Sequence, residues 1–109
     1  MTKNEAHEKL GQLQLIEQNL QNFLMQKQNF QSQLIQIENA LGEVEKTTKK
    51  TAYKIVGPLM IENDISSLKE DLKSKKEVLD LRIKNIEKQE DKLKEKAKSV
   101  QEEVMKELK

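Results

Sequence analysis

His7 is the only histidine and there is no cysteine, so the side chains most used as general bases, thiolate nucleophiles and transition-metal ligands shrink to one imidazole. A metal site needs several donors converging, and an activated nucleophile needs a base beside it. His7 stands alone near Lys3 and Leu10 and reads as a solvated helix residue. Carboxylates at helical spacing crowd the second half of the chain, but each is interleaved with lysine, and nothing there makes the dry cleft that perturbs an acid. The row Lys84, Lys88, Lys92 and Lys96 places like charges one turn apart, a repulsion of roughly 0.2–0.5 kcal/mol per neighbouring pair that invites an acidic partner. Asp80, Glu87, Glu90, Asp91 and Glu95 flank it, and the simpler reading is a solvated face. Gly11, Gly42 and Gly57 are too scattered for a phosphate-cradling loop. The expectation is no catalytic residue, no metal, no cofactor and no enzyme.

What the chain can do must therefore come from its elements. It has 109 residues, of which 36% are charged and 35% hydrophobic, and its only aromatics are Phe23, Phe30 and Tyr53. That composition suits long helices better than a globular core. Twenty basic and 19 acidic residues leave a net charge of +1, so no overall field gathers nucleic acid or an anionic membrane. A single-strand binder would also need stacking aromatics on an open face, whereas these fall on a helical seam or in a turn region. Lack of cysteine fits a reducing compartment. The opening Met-Thr-Lys-Asn-Glu-Ala-His-Glu has no apolar signal core, and no run approaches the ~18 apolar residues of a membrane span. A soluble, cytoplasmic protein is expected.

The first arm reads Leu13, Ile16, Leu20, Phe23, Lys27, Phe30, Leu34, Ile37, Leu41, Val44, alternating steps of three and four with Lys27 as the sole polar member. That is a coiled-coil seam. Lys27 either snorkels or sets register at some cost in stability. Thr2 and Glu5 have capping-box spacing, while Gly42 and the stretch Thr47–Thr51 weaken the far end. The second arm opens near Asp64 or Ser67, the latter in capping-box spacing with Glu70. One of its heptad columns is apolar at every turn: Ile65, Leu72, Leu79, Ile86, Leu93, Val100. The companion column starts at Leu68 and then meets Lys75, Arg82, Gln89 and Lys96, with Ile83, Ala97 and Val104 one place later. This seam drifts, as it does where the supercoil changes locally. Arms of about 42 to 45 residues, roughly 65 Å each, can each dimerise in parallel, but the short connection favours the intrachain antiparallel pair, which brings both termini to one tip.

Between the arms lies Tyr53-Lys-Ile-Val-Gly-Pro-Leu-Met-Ile61. With Gly57 and Pro58 as the turn, Gly57 takes the positive φ of a type II′ turn and Pro58 its fixed negative φ. The pairs Val56/Leu59, Ile55/Met60, Lys54/Ile61 and Tyr53/Glu62 then put apolar groups on both faces of a ribbon. An isolated ribbon of this kind is not stable and leaves open edges; closure with strands of other chains into a barrel removes both liabilities. The plainer reading is a turn packed on the chain's own helix ends. At the tip, Leu10 is off the seam, and Met105 and Leu108 sit beside Val104 beyond the last clean repeat. With Met1, Ala6 and Val100 they make an apolar excess that either binds exposed hydrophobic segments or merely covers a frayed coil end.

The hairpin residues Tyr53 to Ile61 between heptad arms, with Leu81-Arg-Ile-Lys-Asn-Ile-Glu-Lys-Gln-Glu90 in the second arm, closely resemble the β subunit of archaeal prefoldin over essentially the whole chain. Pro58 stands where archaeal β subunits often carry a polar residue and is closer to the related eukaryotic subunit six. The resemblance implies a mainly α fold: an antiparallel two-helix coiled-coil hairpin with one central β-hairpin that joins an intersubunit β-barrel. It implies one prefoldin-like domain over 1–109, with helices at about 3–46 and 64–108 and the hairpin at 51–62. It further implies a hexamer of two α-class and four β-class subunits, assembled through Tyr53, Ile55, Val56, Gly57, Leu59, Met60 and Ile61. Such a hexamer is an ATP-independent holdase. It would hold unfolded proteins at tips formed by Met1, Ala6, Leu10, Val100, Val104, Met105 and Leu108 and deliver them to a group II chaperonin. The competing reading is a structural coiled-coil tether whose hairpin is only a bend.

Overall fold

The computed structural model describes residues 2–107. Helix α1 spans Lys3–Lys46, strand β1 Thr51–Val56, strand β2 Leu59–Asp64 and helix α2 Ile65–Glu107. Helix α1 starts on the reciprocal cap that its sequence spacing predicts. Thr2 N–H donates to Glu5 Oε2 at 3.4 Å, and Glu5 N–H donates to Thr2 Oγ1 at 3.2 Å, satisfying donors that a helix start leaves open. Gly42 does not stop the helix; Thr47 N–H closes a final turn on the Glu43 carbonyl at 3.2 Å. Helix α2 follows β2 without a loop, and Ile65 N–H donates to the Lys50 carbonyl at 2.9 Å. Ser67 consequently lies inside the first turn of α2 and does not serve as its cap, because a capping residue must precede the helix.

The chain divides into two units. One comprises residues up to Asn29 with those from Ile83 onward. Within it α1 and α2 run antiparallel, with Lys9 paired to Glu103 and Lys27 Nζ 2.8 Å from Glu90 Oε1. Ile16 from α1 and Ile83, Ile86, Val100 and Val104 from α2 are buried here, and Leu13, Leu20 and Phe23 are half-buried beside them. The other unit is Phe30–Arg82. It holds the two-stranded sheet and a second antiparallel stretch marked by Glu38 with Lys76 at 3.7 Å and Glu45 with Lys69 at 3.9 Å. Leu79 is its one buried hydrophobic among the described residues, so this unit carries little core of its own.

Burial resolves the drift in the second seam. Along α2, Ile65, Leu68, Leu72, Lys76, Leu79, Ile83, Ile86, Glu90, Leu93, Ala97, Val100 and Val104 are half-buried or buried at steps of three and four, with Lys69, Asp71, Asp80 and Gln89 half-buried beside them. Two consecutive steps of four, from Leu68 to Leu72 to Lys76, shift the companion column by one place, after which threes and fours alternate regularly. A stutter of this kind unwinds the supercoil locally. Arg82, left beside the shifted seam, sets its guanidinium 5.7 Å from the centroid of the Phe30 ring, within cation–π range.

Candidate functional site

Strands β1 and β2 pair antiparallel in the register Tyr53 with Glu62, Lys54 with Ile61, Ile55 with Met60 and Val56 with Leu59, as the turn assignment requires. Gly57 takes φ +58°, a left-handed conformation that costs glycine nothing. Since side chains alternate across a strand, Ala52, Lys54, Val56, Leu59, Ile61 and Asn63 share one face, and Tyr53, Ile55, Met60 and Glu62 share the other. The first face is anchored. Ala52, Lys54 and Asn63 are half-buried, and Lys54 Nζ donates to Asp71 Oδ2 of α2 at 3.3 Å. Lys75 reaches the same oxygen at 3.4 Å. The hydrogen bond from Lys54, then that from Lys75, hold the Asp71 carboxyl below the usual carboxylate range.

The second face has no cover. Tyr53 is 66% exposed, Ile55 73% and Met60 68%, and even on the anchored face Val56, Leu59 and Ile61 remain exposed. Six apolar side chains thus stand open to water on a two-stranded ribbon with free edges.

The tip residues divide. Val100 and Val104 are buried in the seam and Ala6 is half-buried, while Leu10 is 49% and Met105 60% exposed. Met1 and Leu108 lie outside the described residues. Lys9, half-buried next to Leu10, ties α1 to Glu103 of α2. Lys84, Lys88, Lys92 and Lys96 are all exposed, as is His7. Among the described residues no group of three His, Cys, Asp or Glu is placed to hold a metal, and no helix is long and apolar enough to cross a membrane.

One residue stands apart from its sequence reading. Glu90, grouped there with the acids that solvate the lysine row, is 6% exposed and sits on the shifted column opposite Lys27. Its hydrogen bond raises the Lys27 ammonium above the usual lysine range; burial opposes this, and the charges of Glu90, Glu87 and Asp91 reinforce it. The available signal was the lone polar residue in the first seam, which called for an acid facing it from the second.

A family model described as a prefoldin subunit matches residues 7–109. A prefoldin subunit beta of Thermococcus onnurineus is 42% identical over 84% of this chain and 79% of its own, and one of Pyrobaculum islandicum is 36% identical over 85% and 75%. The chain belongs to the prefoldin family, in its β class. The crystal structure of the prefoldin beta subunit from Thermococcus strain KS-1 superposes on it with a TM-score of 0.90 at 34% identity, covering 96% of this chain and 93% of that one. The fold is therefore that of a prefoldin β subunit, two long helices with an antiparallel hairpin between them. Prefoldin subunits are chaperones, and membership implies a hetero-oligomeric prefoldin assembly, which is the setting in which an uncovered hairpin makes physical sense.

Proposed function

We propose that this chain, acting as one prefoldin-like domain over 1–109, is the β-class subunit of an ATP-independent holdase. Two α-class and four β-class chains form the working hexamer in the cytoplasm, bind unfolded or nascent proteins and pass them to a group II chaperonin. The observation that carries the reading is the hairpin: Tyr53, Ile55, Val56, Leu59, Met60 and Ile61 are exposed on both faces, and closure with strands of other subunits into a barrel, with helices or other strands over its outer face, covers faces and edges together. A tether with the hairpin as a bend would gain nothing from such exposure.

Client capture is assigned to the tip set Met1, Ala6, Leu10, Val100, Val104, Met105 and Leu108. Leu10 and Met105 offer open apolar surface, and the adaptable Met105 thioether suits varied clients; Val100 and Val104 become available as the helix ends part. An apolar side chain contributes about 1.5–3 kcal/mol when fully buried and less on a shallow surface. Each tip is therefore weak, but several tips on one client raise avidity through effective concentration, which allows release without ATP. Replacing Leu10 and Met105 with Ser should leave the assembled complex intact and remove most suppression of client aggregation in a light-scattering assay. Neutralising Lys84 and Lys88 together is the control and should change little across moderate salt, where the Debye length is ~8–10 Å. Full protection by the Leu10/Met105 variant in an intact complex would move the client site off the tip.

A further inference from the structure

The two seams are each apolar enough to associate with a copy of themselves. In α1 every member from Leu13 to Val44 except Lys27 is apolar, and in α2 the covered column is interrupted only by Lys76 and Glu90. A seam of that composition is the recipe for a parallel dimer, and an assembly with several such arms offers many wrong partners. The interruptions are complementary between arms and incompatible within them. Lys27 Nζ meets Glu90 Oε1 at 2.8 Å, with the two side chains 21% and 8% exposed. A second α1 laid in register would set Lys27 on Lys27, and a second α2 would set Glu90 on Glu90 and Lys76 on Lys76. The more exposed cross-arm pairs, Lys9 with Glu103, Glu38 with Lys76 and Glu45 with Lys69, have the same complementarity but are worth little individually. Lys27 and Glu90 are the pair deep enough for a mismatch to be costly, because a charge stripped of water tolerates a like charge far less than an opposite one.

We propose that Lys27 and Glu90 form a discrimination latch that admits the opposite arm into the seam and refuses the same arm of a second copy of this chain. The contact excludes partners; the net stability it adds is secondary, as for single polar residues in coiled-coil seams that fix pairing at the expense of stability.

The chain has no cysteine, so a single Leu20→Cys, one heptad from Lys27, reports like-arm pairing as a disulfide-linked dimer under mild oxidation. The full chain with only Leu20→Cys should give background dimer. Adding Lys27→Leu makes the α1 seam self-compatible and orphans Glu90, so dimer yield should rise by about tenfold, the response to a shift of 1.4 kcal/mol. The exchanged pair Lys27→Glu with Glu90→Lys should return dimer to background and keep its melting temperature close to that of the parent. Background dimer with Lys27→Leu would overturn the proposal, and so would high dimer in the exchanged pair, because the sequence of charges would then not be what excludes the wrong arm. The exchanged pair keeps the test decisive even where Lys27→Leu is poorly folded.

Discussion

Ile55 offers the sharpest test of the hairpin as an assembly surface. It faces Met60 across the ribbon on the uncovered side and is 73% exposed, so its substitution removes almost nothing from the chain's own packing. Full burial of an isoleucine contributes about 1.5–3 kcal/mol, and scaling by the uncovered fraction leaves roughly 1–2 kcal/mol per chain to be gained on assembly. Ile55→Ala should therefore weaken association by about tenfold for each subunit contact. Ile55→Asp also places a carboxylate without a partner inside an apolar contact, costing several kcal/mol, on the order of a thousandfold. The measurement is native mass spectrometry of each variant titrated with an α-class partner, with far-ultraviolet circular dichroism on the same samples. The expected result is helix content unchanged in both, a shifted assembly midpoint for Ile55→Ala and no full-size complex for Ile55→Asp. A full-size complex from Ile55→Asp at the concentration sufficient for the parent would refute the argument, since a buried aspartate in that place has no means of remaining neutral in cost.

Two glycines with equal room make a contrasting pair, because an added Cβ meets nothing within 4 Å at either Gly42 or Gly57. Gly42→Ala, within the penultimate turn of α1, should stabilise by about 0.5–1 kcal/mol, whereas Gly57→Ala, at φ +58°, should destabilise by roughly 1–2 kcal/mol; thermal melts giving both the same sign would discredit the backbone explanation. Stability should also fall at both extremes of pH for separate reasons. The raised Lys27 ammonium contributes fully below the ordinary lysine pKa and loses its contribution as pH climbs through the raised value; the depressed Asp71 carboxyl contributes above the ordinary carboxylate pKa and loses it as pH drops through the lowered value. Melting temperature followed against pH should lose its alkaline limb in Lys27→Met and have a weaker acid limb in Asp71→Asn; an undiminished alkaline limb in Lys27→Met would assign that limb to another group.

The first arm was legible because a seam from Leu13 to Val44 with one polar member has no competing periodicity, and every one of its positions is half-buried or buried. The hairpin register was legible for a different reason: Gly57 followed by Pro58 admits one two-residue turn, and the turn dictates each pair beyond it. In the second arm the drift could be seen but not located. Choosing between Lys75 and Lys76, or Gln89 and Glu90, as the more covered residue depends on which face α1 presents, and that is tertiary information. Glu90 was obscured for the same reason, since along its own helix it resembles any acid flanking a lysine row. Of the two capping candidates Asp64 is the residue that precedes the helix and Ser67 lies within its first turn, because β2 runs straight into α2. At the tip, sequence could group Leu10, Val104 and Met105 but could not say that Val104 turns inward while the other two remain open.

Among the described residues no side chain is fully enclosed, because in a two-helix pair each residue leans on a single neighbour. Such a construction has no central nucleus whose loss collapses the whole; its cohesion is spread along its length, heptad by heptad, as in linear repeat proteins. Local opening at the ends of Lys3–Lys46 and Ile65–Glu107 is then a low-energy excursion that forfeits only the turns involved. Fraying that travels inward from Lys9 and Glu103 forfeits its seam a turn at a time, and it reaches Lys27 and Glu90 only after Val104, Val100 and Ile16 have parted.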